Sequence, residues 1–260
     1  MIGATRTPDD ARWYRLALGA LVLSAWAALA VWGASPFAGL LSHRENGAGT
    51  LPLLPRLAIF VAGWTLMTIA MMLPSSLPLI NLFRRIVAGR ADRAQLLLRL
   101  LAGYLAVWAS FGVLAYLGDA ALHGAVERLP NAVAASSVIG SALLLLAGLY
   151  QFTPLKQACL TQCRSPYSFV VEHWRGRHAA RDAARLGVRH GLFCAGCCWT
   201  LMLLMFAVGG ANLGWMLALG AVMGAERATR WGRQLSAPLG IALIAWAALV
   251  LTRWAPFPGA

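Results

Sequence analysis

Five cysteines occur in this chain, and all of them fall in two short clusters. The first is Cys159-Leu-Thr-Gln-Cys163. The second is Cys194-Ala-Gly-Cys197-Cys198, with His190 one helical turn ahead of it. Both stand at the ends of strongly apolar segments. Ionisable sulfur gathered where lipid meets water is poorly explained by packing and well suited to a soft metal ion. Read as a helix of about 3.6 residues per turn, the second cluster sets His190, Cys194 and Cys198 on one side, with Cys197 flanking them. Met202 and Met205 continue that side deeper into the bilayer. Cys159 and Cys163 make a similar pair if their segment is helical, and Met67 and Met71 repeat the spacing on another span.

The ligands expected for a metal are therefore Cys159, Cys163, His190, Cys194, Cys197 and Cys198. Met67, Met71, Met72, Met202 and Glu226 are candidates for further ligands or supports. Thiolates and thioethers favour Cu(I), and thiolate with imidazole also holds Zn(II). A tetrahedral zinc site needs four donors at about 2.0–2.3 Å, for instance three cysteines and His190. Cu(I) accepts fewer donors and tolerates methionine, so copper is favoured over zinc. Arg164 and Arg189 are expected near the sulfurs, where a cation favours thiolate over thiol. Glu226 is expected to pair with Arg227 or Arg230, or to support a ligating histidine through a hydrogen bond.

Competing readings exist for each feature. Methionine fills irregular gaps in any core. Cys194-Ala-Gly-Cys197 has the C-x-x-C spacing of thiol–disulfide exchange, but no strand–helix context of the thioredoxin type surrounds it. The compartment expected for these thiols is reducing, which disfavours a structural disulfide. No catalytic residue is assigned, and binding is expected rather than catalysis. A membrane oxidoreductase and a soft-metal permease remain the alternatives.

The elements that must carry these residues are membrane helices. The chain is 60% hydrophobic and 12% charged. Its apolar runs approach the roughly 20 residues needed to cross a bilayer. Seven spans are expected, about 16–34, 56–74, 96–117, 133–152, 191–209, 211–225 and 237–252. The count is six if the short segment 211–225 does not cross. Hydrocarbon offers no partners to bare peptide groups, so the expected fold is all-α, one transmembrane bundle over residues 1–260. Strand alternation is absent, which argues against a barrel. Pro74 and Pro78 are expected to break or kink the second span. Tyr167, Val170, Val171 and Trp174 recur opposite Arg175, Arg177, Arg181 and Arg185, which predicts an interfacial amphipathic helix near 167–186.

The net charge of +13 encodes orientation. With the N-terminus in the cytoplasm, all basic residues except Arg44, Arg56, Arg128 and Arg253 fall on the inner side, as the positive-inside rule requires. Anionic lipid headgroups are their natural partners. No folded basic domain exists to present a groove, which argues against nucleic-acid binding.

Three stretches resemble the DUF2182 family: Trp64 to Ser75, Gly148 to Pro166, and His190-Gly-Leu-Phe-Cys194-Ala-Gly-Cys197-Cys198-Trp199. The resemblance spans about residues 60 to 250. It implies a bacterial multi-span inner-membrane protein with a metal site at Cys159, Cys163, His190, Cys194, Cys197 and Cys198, and no established reaction. Arg227 stands where the family pattern has lysine, and Ala211 where it has methionine. Together these readings predict an inner-membrane copper handler that accepts, holds or passes Cu(I), with a metal-donor or acceptor protein as partner.

Overall fold

A computed structural model describes residues 8–35, 52–126, 132–208 and 212–252. Among them the regular structure is helical: α1 (Pro8–Gly33), α2 (Leu53–Ile86), α3 (Arg93–Val126), α4 (Ala132–Tyr150), α5 (Pro154–Arg164), α6 (Pro166–His173), α7 (Ala179–Val208), α8 (Leu213–Ala228) and α9 (Gly232–Leu251). The expected all-α bundle is what forms. Five of the described helices are long and apolar enough to cross a membrane, or six if the bent pair α4–α5 counts as one span. The segment expected as the short sixth span, 211–225, corresponds to α8, which runs for 16 residues and is not among them. Arg44 and Arg128 of the orientation argument lie outside the described residues, as do Arg6 and Arg253.

Local sequence explains the breaks that matter to the cysteines. Chain direction turns by 64° between α4 and α5. There Thr153 caps α5, its hydroxyl accepting from the Lys156 backbone N–H at 3.3 Å, and Pro154 opens the helix with a pre-set φ. Cys159 and Cys163 thus ride on a short separate helix. Pro74 and Pro78 do not break α2, which runs through both of them. The stretch read as one amphipathic helix over 167–186 is divided: α6 ends at His173, Gly176 takes φ 68°, and α7 starts at Ala179. A φ in that region favours glycine and stops a continuous helix. The four residues read as one apolar face are split as well: Val170 is buried with Phe169, while Tyr167 and Val171 are exposed.

Small residues let the helices close on one another. α3 lies along α7 and α4 along α9. A Cβ added to Gly187 would stand 2.0 Å from the Leu100 carbonyl oxygen, and one on Gly103 would stand 2.4 Å from that of Ala184. Backbone cannot yield there, so Gly187→Ala is expected to prise α3 from α7 and cost at least about 1–3 kcal/mol. Heat unfolding in detergent, followed by tryptophan fluorescence, measures it. Two apolar cores result. One, around Phe83, Leu96, Phe169 and Leu186, lies at the end where α6 packs; the other fills the bundle interior and holds the buried cysteines.

Candidate metal centre

α5 lies against α7, and that packing brings the two cysteine clusters together. Cys163 of α5 comes beside Cys197 of α7, and Cys194 and Cys197 neighbour Cys198 on the same helix. Cys159 faces Gly196, where a Cβ would come within 2.6 Å of its Sγ. Only glycine leaves room for that sulfur. The Tyr150 hydroxyl donates to the Gly196 carbonyl and seats the bend of α4–α5 on the same turn. Cys159, Cys194, Cys197 and Cys198 are buried, Cys163 is half-buried, and all five are free thiols. Cys197 and Cys198 donate to the Cys194 carbonyl at 3.2 and 3.0 Å. The Tyr104 hydroxyl meets Cys194 Sγ at 3.2 Å, and Cys198 Sγ lies 3.8 Å from Met72 Sδ.

The cation at these sulfurs is Arg227. Its Nη2 donates to Cys197 Sγ at 3.1 Å, to Cys198 Sγ at 3.2 Å and to the Cys194 carbonyl at 3.2 Å. Nη1 donates to Ser75 Oγ at 2.7 Å. A buried guanidinium is costly unless an anion balances it. Two thiolates with one Cu(I) carry a charge of −1, and the guanidinium brings that sum to zero. The donor set and the charge therefore suit a monovalent soft ion. Among the described residues, no three or more His, Cys, Asp or Glu side chains are arranged as they stand to enclose a metal ion. Arg227→Met keeps the length of the side chain and removes the charge. It is expected to weaken Cu(I) retention about tenfold, or about 1.4 kcal/mol. Competition with a Cu(I) chelator reads this, and Arg227→Lys should recover most of the loss.

Arg164 and Arg189 do not take the place expected of them. Arg164 donates to the backbone carbonyls of Glu226 and, at 2.7 Å, Thr229, while Arg189 is exposed. Glu226 does not pair with Arg227 or Arg230. Its carboxylate accepts from Lys156 Nζ at 2.8 and 2.9 Å and from Ser236 Oγ at 2.8 Å. Lys156 also donates to the Gln151 side-chain carbonyl. All four side chains are buried, so a polar cluster inside the bundle ties α5 to α8 and α9 beside the sulfurs. Its two charges satisfy each other, leaving Arg227 to the cysteines.

His190 is buried, with Nε2 3.0 Å from Ser76 Oγ and its ring stacked on Tyr104 at 5.4 Å. Its Nδ1 has no hydrogen-bond partner, which leaves a buried nitrogen available as a donor. Met67, Met71, Met72 and Met202 all lie in the core that holds the cysteines, and Met72 is the one whose sulfur touches a cysteine. Sequence reasoning missed Tyr104, Ser75, Lys156 and the role of Arg227. One signal was present for Lys156: every other basic residue in the chain is arginine. A residue chosen against that bias, next to the first cysteine cluster, marks a special environment.

Cysteines from two helices thus converge on a buried cation, with methionines in the same core, a donor set suited to a soft metal ion. The chain is a member of the copper chaperone family PpoB2, whose model matches residues 61–250. That stretch contains every cysteine, Lys156, His190, Glu226 and Arg227. No curated protein and no solved structure matches the chain.

Proposed function

We propose that this protein accepts Cu(I) at the cytoplasmic face of a bacterial inner membrane, holds it on cysteine thiolates and passes it to a partner protein. The observation that carries the reading is the packing of α5 on α7, which sets Cys159 against Gly196 and brings sulfurs from two helices together beside the Arg227 guanidinium. Membership of a copper chaperone family supports copper as the cargo. The motif resemblance to DUF2182, over nearly the same residues, supports a metal site in the same place. Nothing comparable favours zinc. Cys159, Cys163, Cys194, Cys197 and Cys198 are the proposed sulfur ligands, and His190 is a nitrogen donor in reserve.

Charge distribution supports the orientation, with the basic loops facing the cytoplasm and its anionic lipids. Cys163, half-buried on the short helix α5, is the ligand a donor or acceptor protein reaches first. Purified protein, loaded with Cu(I) under reducing conditions and washed free of excess, should retain copper near one ion per chain. Elemental analysis finding no bound copper would remove this function. Impermeant thiol labelling of cells tests the side: labelling of Cys163 from the periplasm would reverse the orientation.

A further inference from the structure

Apart from Met1, every methionine in the chain is buried in the core that holds Cys159, Cys194, Cys197 and Cys198. Three helices supply them independently. α2 brings Met67, Met71 and Met72 ahead of Ser75, which touches Arg227. α7 brings Met202 and Met205 beyond Cys198, and α8 brings Met216 and Met223 ahead of Arg227. α2 and α8 run toward the cysteine cluster and α7 runs away from it. All these thioethers therefore lie on one side of the cluster, in the interior of the bundle. From Arg227 back to Met216 the column rises about 16 Å, at about 1.5 Å per residue.

Core filling does not account for this placement. The second apolar core, built on α2, α3, α6 and α7, is made of Leu73, Leu79, Ile80, Phe83, Leu96, Leu100 and their neighbours, and contains no methionine. Leucine and isoleucine serve wherever packing alone is required. Of the two cores, the one that holds the cysteines is the one that holds the methionines. The column also begins in contact with them, since Cys198 Sγ lies 3.8 Å from Met72 Sδ. From there it passes between helices: Met71 covers Gly220 of α8, where an added Cβ would stand 3.2 Å from Met71 Cε.

We propose that these thioethers form a second soft-metal station in the bundle interior, which takes a monovalent ion such as Cu(I) from Cys198 by way of Met72. The proposal rests on copper binding at the cysteines. Transfer is a ligand exchange: the bond from Cys198 sulfur to copper breaks as bonds to methionine sulfur form, and the ion stays Cu(I) throughout. The thiolates left behind keep Arg227 as their counter-ion. Thioethers are soft but neutral, so an ion held by them alone keeps its full charge in a low-dielectric interior. The second station is accordingly the weaker one, suited to moving an ion away from the cysteine face and not to storing it.

Ag(I), a redox-silent monovalent substitute, is the probe. Full-length protein labelled with selenomethionine is loaded with one and then two equivalents under reducing conditions, and the selenium absorption edge is recorded. The second equivalent should bind at least about tenfold more weakly than the first and place silver at bonding distance from selenium. Met205→Leu with Met216→Leu, which preserves volume, should remove the second equivalent and leave the first in place; retention of the first also shows that the variant folds. Selenium without a silver neighbour at two bound equivalents overturns the station. So does a leucine variant that binds the second equivalent as the wild type does. Wild-type protein that holds neither equivalent overturns the copper reading itself, and the station with it.

Discussion

On the proposed function, replacing Cys194 and Cys198 together by serine is expected to abolish copper retention and to leave the bundle folded. Serine has nearly the same shape, and both positions are on a helix whose backbone does not depend on the sulfur. What changes is the donor: oxygen is hard and a poor ligand for Cu(I), whereas sulfur is soft. These two positions are chosen because of what they touch. Cys198 meets Arg227 at 3.2 Å and Met72 at 3.8 Å, and Cys194 meets Tyr104 at 3.2 Å. They therefore link the cation, the thioethers and the remaining thiols. Retained copper should fall about tenfold or more, each tenfold being about 1.4 kcal/mol of binding free energy. Elemental analysis after gel filtration gives the copper content, and tryptophan fluorescence on heating shows that the fold survives. Copper held at the wild-type level would mean that the metal, if bound, sits elsewhere.

Lys156→Met is expected to be the most destabilising change beside the site. It removes the ammonium that pairs with both Glu226 oxygens and strands a carboxylate that is only 2% exposed. Removing one partner of a buried ion pair costs about 3–5 kcal/mol, because the other charge stays behind. Replacing both, with Lys156→Met and Glu226→Gln, leaves no buried charge and should recover much of the loss. That recovery is the signature of a coupled pair and is read from a double-mutant cycle of unfolding free energies. The consequence for the site is specific. Lys156 ties α5 to α8, so in the single variant α5 loosens and Cys163 reacts faster with a maleimide, while Cys194 stays protected within α7. A single variant as stable as the wild type, or a double variant no better than the single, would show that the pair does not hold α5 in place.

The spans of α2, α3 and α9 were legible because a bilayer imposes length and hydropathy on any helix that crosses it. The same holds for the charge bias of the loops. The candidate ligands were legible because sulfur confined to two clusters of an otherwise apolar chain is a compositional anomaly. Glu226 shows where that reading fails. In sequence its nearest cations are Arg227 and Arg230, yet its partner is Lys156. Pairing through space depends on how α5 docks, and adjacency along a helix end says little about it. The arginines judged by proximity to the cysteines, Arg164 and Arg189, point elsewhere for the same reason, and Arg227 reaches the sulfurs from α8.

The all-helical fold, the apolar spans and the choice of candidate ligands thus came from residue types and local periodicity, because hydropathy and ligand softness are properties of side chains wherever they sit. Which helices meet, and so which charge faces which sulfur, came from packing. Gly187 and Gly103 let α3 reach α7, Gly196 admits Cys159, and the bend after Tyr150 folds α5 back onto α7. Those contacts join residues far apart in the chain, and their energies depend on distance and burial, which no spacing of letters contains.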